Sequence, residues 1–214
     1  MSERSKYYSQ YGEDQIIEGY FNQLGLNKGT FFEMGAGDGV VLSMTKHKSY
    51  LGYDVSNTTL TSLRSKYGND QSRNFIHYDG GELSQEQLKE SRSDLALSME
   101  MLFHLVEENV WEQYLENLFA LGTKYVIILS SNCLEDQNLK AVFESIHSKK
   151  QPASIRVRNG ICSDPSAHVL HRAFLSRVLE KESDDWVLFD FIPNKHPELC
   201  FSDFYFFKRL SREA

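Results

Sequence analysis

Apolar positions along this chain switch between two periods, and the switches divide it into helices and strands. Between Ser9 and Gly25, Ile16, Ile17, Tyr20, Phe21 and Leu24 recur at helical spacing with Glu13 and Asp14 in the first turn, which predicts an amphipathic helix. The run from Thr30 reads as a first strand, and Tyr50 to Val55 as a second. Leu60, Leu63 and Tyr67 mark a helical face closed by Gly68, expected in the left-handed conformation that often ends helices. Asn74 to Asp79 is a third strand, Ser84 with Gln87 makes a capping-box start for a helix, and Asp94 to Met99 is a fourth strand. A long helix is expected from about His104 to Leu121, carrying Val106, Val110, Tyr114, Leu118, Trp111 and Leu115. Lys124 to Leu129 is apolar almost throughout, as in a strand buried on both faces.

Strands alternating with helices imply crossover units and a mainly parallel sheet. The end breaks this pattern. Trp186 to Ile192 and Phe204 to Phe207 are strands without a helix between them, and should pair antiparallel at one edge. Between Ser130 and His168 a helical pattern (Leu139, Val142, Phe143, Ile146) and a loop have no predicted place in the sheet.

The first strand runs into Glu33-Met34-Gly35-Ala36-Gly37-Asp38-Gly39, with three glycines at alternate positions. Glycine serves where backbone takes positive φ or where a ligand lies against the main chain. A dinucleotide turn would require a third glycine at position 40, where Val40 stands, and there is no G-K-[ST] of a P-loop. Asp54, at the end of the second strand, has about the offset of a ribose-binding carboxylate. In open α/β sheets such ligands bind beyond the carboxyl ends of the strands, which gathers Gly35, Gly37, Asp54, Asp79 and the residues after Ser98 on one rim.

With 214 residues, 41% of them apolar, one core and one domain are expected. A net charge of −7 withholds the overall basic balance that favours nucleic acid. Cys133, Cys162 and Cys200 are odd in number and scattered, so neither a disulfide framework nor a zinc site is expected, and no metal. The opening residues are too polar for a signal peptide and no run approaches a membrane span, which together suggest a cytoplasmic protein.

The E-x-G-x-G-x-G turn followed by Asp54 resembles the first motif of class I S-adenosylmethionine (SAM)-dependent methyltransferases, over roughly Thr30 to Lys208. The resemblance implies a Rossmann-like α/β fold: a seven-stranded, mainly parallel sheet with helices on both faces and an antiparallel last strand. It implies SAM as cofactor and S-adenosylhomocysteine as product. The glycine turn (Gly35, Ala36, Gly37, Gly39) would pass beneath the methionine portion and ribose, Asp54 with Val55 would take the ribose, and Asp79 the adenine amino group. Glu33 would bond loop amides and the cofactor's ammonium group. Ser98, Met99 and Glu100 would lie near the transferred methyl, with His104 a helical turn beyond as a general base. The segment His168-Val169-Leu170-His171-Arg172 resembles a stretch that faces the active-site mouth in related sequences. It makes His168 an alternative base and His171 and Arg172 substrate-side residues, with both histidines able to share one helical face.

Tyr8-Ser9-Gln10-Tyr11-Gly12-Glu13-Asp14 also resembles the opening of FkbM-type methyltransferases, which act on sugar and polyketide hydroxyls; residues 1–29 would then form a helical lid over the domain 30–214, with Tyr8, Gln10 and Glu13 folded over the cofactor. Ser-Met-Glu-Met replaces the Asn/Asp-Pro-Pro-aromatic motif of amino-group methyltransferases. The expected activity is therefore methyl transfer to a hydroxyl of a small molecule or glycan. Other readings stay open: a non-catalytic SAM-binding subunit of a larger assembly, a methyltransferase acting on nucleic acid or protein, or a nucleotide-dependent oxidoreductase or epimerase.

Overall fold

The computed structural model describes residues 13–26, 29–132, 160–161, 169–193 and 202–211. Helix α1 (Glu13–Gln23) leads into β1 (Thr30–Met34), the short α2 (Val40–Met44), β2 (Ser49–Asp54), α3 (Asn57–Tyr67), β3 (Arg73–His77), α4 (Gln85–Ser91) and β4 (Ser93–Met99). A 3-10 turn (Leu102–His104), α5 (Glu108–Leu121), β5 (Gly122–Ser130), the two-residue strands β6 (Gly160–Ile161) and β7 (Leu170–His171), α6 (Phe174–Glu182), β8 (Trp186–Ile192) and β9 (Asp203–Arg209) complete the order.

The main sheet has seven strands in the order β3-β2-β1-β4-β5-β9-β8. β1 to β5 pair in parallel, whereas β9 runs antiparallel to both β5 and β8. The expected antiparallel ending is thus present, with β9 inserted inside β8. Strand order reverses between β1 and β4, which places the ligand crevice above their carboxyl ends.

Alternating side chains feed two cores. Phe32, Met34, Ala96, Val126, Ile128, Tyr205 and Phe207 pack with Trp111, Leu115 and Leu118 of α5 and Phe174, Leu175 and Val178 of α6. On the opposite face Tyr50, Leu95, Leu97, Ile127, Leu129 and Phe206 meet Ile17, Tyr20 and Phe21 of α1, Val40, Val41 and Leu42 of α2, and Leu60 and Leu63 of α3. Tyr20 stacks on Phe206 with ring centroids 3.8 Å apart, so α1 is fixed to the centre of the sheet.

Local signals explain most boundaries. Both halves of the capping box form at α4: the Ser84 hydroxyl accepts from Gln87 N, and Gln87 Oε1 from Ser84 N. Two expectations are corrected. Gly68 ends α3 at φ −64, a right-handed conformation; its missing Cβ matters for space, because one there would meet the Arg64 carbonyl oxygen. The long helix starts at Glu108 and not at His104: Leu102–His104 is a separate 3-10 turn, and Val106 is exposed between the two.

Three buried or half-buried tyrosines carry a consequence for alkaline stability. Desolvation, then the neighbouring Glu33 carboxylate, drives the Tyr50 phenol well above its ordinary value, burial also raises Tyr114, and burial pushes Tyr78 up to about 12. A folded-state pKa above the unfolded one means that the unfolded chain ionises first as pH rises. The stability tied to these phenols is complete below the ordinary tyrosine value of about 10 and is lost as pH climbs beyond it. Thermal unfolding followed from pH 8 upward should show a Tm that falls steeply above about pH 10, and Tyr114→Phe should flatten the fall. An equally steep fall in the Tyr114→Phe protein would remove Tyr114 from this account.

Candidate functional site

The glycine turn hangs on the neighbouring strand. Gly35 N and Ala36 N both donate to the Tyr53 carbonyl of β2, at 2.8 and 3.0 Å, so two amides of the turn point back into the sheet. Gly35, Gly37 and Gly39 all have positive φ, at 85, 53 and 73°. At Gly39 a Cβ would also meet Leu63 Cδ2 at 2.8 Å, so α3 packs against the turn only because that position is bare.

Asp54 closes the turn from the other side. Its Oδ2 accepts from Gly37 N at 2.9 Å and its Oδ1 from Ser56 N at 2.8 Å. A carboxylate offers about four lone-pair sites, so both oxygens keep capacity for a diol while holding the backbone. Val55 beside it is 64% exposed, an apolar side chain at the crevice edge suited to a flat base. Glu33 is buried on β1 and accepts from the Tyr50 hydroxyl at 2.7 Å, a partner supplied by the adjacent strand. Asp79 is exposed and accepts from Gly81 N, the turn chemistry expected of Asp before glycines, at the edge of a cavity lined by Asn109, Val110 and Gln113.

At the end of β4 the side chains of Ser98 and Met99 are taken up by the cores. Ser98 shares a buried 2.7 Å hydrogen bond with Tyr114 of α5, whose hydroxyl also reaches the Met34 carbonyl, and Met99 is fully buried in the opposite core. Their side chains therefore serve packing, because the inward and outward positions of a central strand are both covered by helices. It is Glu100 and Met101 that turn out onto the rim. Glu100 is the one non-glycine among the described residues with positive φ, at 56°, and its amide is held by the Leu129 carbonyl at 2.8 Å. Such a conformation costs of order 1–3 kcal/mol and concentrates at functional sites. It directs Met101 over Gly35, where an added Cβ would touch Met101 Cγ and lie 2.7 Å from its sulfur.

Residues 169–173 are not helical. His171 lies in β7, paired with Gly160 of β6, and the following helix begins at Phe174. Its ring is buried, with Nδ1 2.6 Å from Ser131 Oγ and the ring centroid 5.8 Å from that of Phe103. Arg172 is engaged within the chain. Its guanidinium donates to the Leu105 and Val106 carbonyls and to Glu108 at 3.0 Å while lying over Trp111, which clamps the segment leading into α5. His104 is exposed on the 3-10 turn beside Phe103. His168, Tyr8 and Gln10 lie outside the described residues, as do the expected helix around Leu139 to Ile146 and all three cysteines, and of Glu13 only the backbone is described.

Two residues at the end of β5 escaped sequence reasoning. Ser131 reaches His171, and Asn132 Oδ1 accepts from Leu175 N at 2.9 Å, satisfying a free amide at the start of α6 from a distant segment. A pair of serines and an asparagine at a strand end read as an ordinary turn; only a histidine known to fold back would have marked them.

The strand order, the reversal point and the glycine turn define a Rossmann-like α/β fold. Residues 32–121 match a family model described as a methyltransferase domain. Among solved structures, the magnesium protoporphyrin IX methyltransferase ChlM from Synechocystis PCC 6803 with bound S-adenosylhomocysteine is similar at TM-score 0.61 and 13% identity, over 93% of this chain and 84% of that one. The N-methyltransferase NodS from Bradyrhizobium japonicum WM9 has TM-score 0.60 and 10% identity over 99% of both chains. An O-methyltransferase family protein from Burkholderia thailandensis has TM-score 0.63 and 11% identity, over 98% of this chain and 58% of that one. No curated protein matches by sequence. Among the described residues no helix is long and apolar enough to cross a membrane.

Proposed function

We propose that this protein is a cytoplasmic SAM-dependent methyltransferase that methylates a hydroxyl of a small molecule or sugar. The observation that carries the reading is the glycine turn: three positive-φ glycines fixed by the Tyr53 carbonyl and the Asp54 carboxylate at the strand-order reversal. The residues fit the cofactor. The positive-φ glycines shape a tight turn over which Met101 and Leu63 close, Asp54 retains acceptor sites for the ribose hydroxyls, and Val55 offers an apolar edge for the base. SAM, when bound, supplies a methyl group already activated on a sulfonium. The chain's contribution is then alignment, where effective-molarity gains of roughly 7–11 kcal/mol are available, and removal of the acceptor's proton.

The absence of an Asn/Asp-Pro-Pro-aromatic motif after β4 and the net charge of −7 favour a hydroxyl acceptor over a nucleobase. An FkbM-type specificity for sugar or polyketide hydroxyls rests on the opening residues. Calorimetric titration with SAM, S-adenosylhomocysteine and NAD tests the reading: micromolar binding of the first two and none of NAD is expected. Binding of NAD alone would replace it with an oxidoreductase.

A further inference from the structure

We propose that Ser131 and His171 form the proton-accepting pair for the acceptor hydroxyl, an assignment that rests on the methyltransferase reading above. The two residues come from segments 40 positions apart and meet at 2.6 Å, a short contact for a hydroxyl and an imidazole nitrogen. Ser131 stands one residue past the end of β5, on the same rim as Glu100 and the glycine turn, and is half-buried, whereas His171 behind it is 4% exposed. Ser131 is thus the more exposed residue of the pair and His171 the shielded one.

Ser130 and Ser131 line a narrow gap with Leu102, Phe103, Trp111 and Phe174 that leaves no room for a water molecule as it stands. Ser130 is about 1% exposed and its hydroxyl has no hydrogen-bond partner among the described residues, so a polar atom admitted by widening of the gap would satisfy it. His104, the exposed histidine expected as the base, is separated from Ser131 by this arrangement of roles: its ring lies against Phe103, whose other neighbour is His171.

The proton first moves toward His171. The acceptor hydroxyl gives its proton to Ser131 Oγ while Ser131 gives its own to His171 Nδ1. The acceptor oxygen keeps the bonding pair, serine stays neutral and His171 becomes an imidazolium. After product leaves, the proton returns by the same path to water. This requires the neutral ring to carry its hydrogen on Nε2 and to accept at Nδ1. Charged and titratable groups nearby are Arg172 with its partner Glu108, His104 on the turn packed against β7, and Asp203 opposite Ser130 in the β5–β9 pair.

Long-range proton–nitrogen NMR of histidine-labelled protein reads the tautomer without any acceptor in hand. The expected spectrum has His171 Nδ1 unprotonated and hydrogen-bonded. That nitrogen should shift clearly in Ser131→Ala and return to its original position in Ser131→Thr, which restores a hydroxyl. A protonated Nδ1 at neutral pH, or a His171 signal indifferent to Ser131→Ala, would overturn the pair. SAM titration of the same samples separates the two levels. SAM binding with the wrong tautomer removes the proton route alone, whereas the right tautomer without SAM binding removes the methyl-transfer reading and the route with it.

Discussion

Asp54→Ala should abolish measurable SAM binding while leaving the sheet folded. The substitution removes two acceptor oxygens from the proposed ribose position, each worth about 1.5–3 kcal/mol as a charged hydrogen-bond partner. Together these correspond to a loss of roughly 100-fold to 10,000-fold in affinity. It also frees Gly37 N and Ser56 N, which the carboxylate holds at 2.9 and 2.8 Å, so the turn loses its tie to the end of β2. Asp54→Asn separates these roles. Its single acceptor oxygen can keep Gly37 N, but the charge and the second acceptor are gone, and an intermediate affinity is expected. Calorimetry beside thermal unfolding distinguishes the cases. An alanine variant that binds SAM within about threefold of the parent would place the ribose elsewhere.

Gly35→Ala should be the most damaging methyl group that can be added to the rim. At φ 85 an alanine costs about 1–2 kcal/mol in backbone strain. Its Cβ would also run into Met101, an overpacking term of about 1–3 kcal/mol. The expected sum is a destabilisation of about 2–5 kcal/mol in denaturant unfolding, with SAM binding lost because the turn and Met101 must shift at the rim. Met101→Ala on its own should cost little and leave binding intact. Combined with Gly35→Ala it should recover the collision part and leave the backbone part, a coupling that a double-mutant cycle measures directly. Full additivity of the two substitutions would mean that Met101 does not lie over Gly35 in solution.

What could be read from the chain followed the length of each signal. Several strands of the main sheet announced themselves because strands buried on both faces are apolar in near-continuous runs, and Tyr125 to Leu129 shows this most clearly. Helix α2 stayed invisible: five residues make little more than one turn, too few for a period to emerge. His171 was expected on a helix because a three-residue spacing suits one, yet the same spacing occurs in extended chain, and here pairing with Gly160 decides. Asp54 and the glycine turn were legible because their requirement is local backbone geometry. Ser131 was not, since its meaning comes from a residue 40 positions away. Ser98 illustrates the converse: its position on the rim side of β4 was foreseen, but not that Tyr114 on α5 would claim its hydroxyl.

The placement of β9 bears on how the chain is made as well as on how it is held. β5 and β8 meet only through this strand, which follows all the others in sequence. Until Asp203 to Arg209 has left the ribosome, Val126 to Leu129 stands as an open, apolar edge with unpaired backbone groups, the kind of edge that recruits other chains. At synthesis rates of about 5–20 residues per second that exposure lasts several seconds. Strands β1 to β4 with α2 and α3 can assemble in the meantime, whereas α1 gains its Tyr20–Phe206 stack only when β9 arrives. Completion of the sheet waits for that strand, so the nascent chain passes through a stage at which half of the fold is in place and its centre is still unsealed.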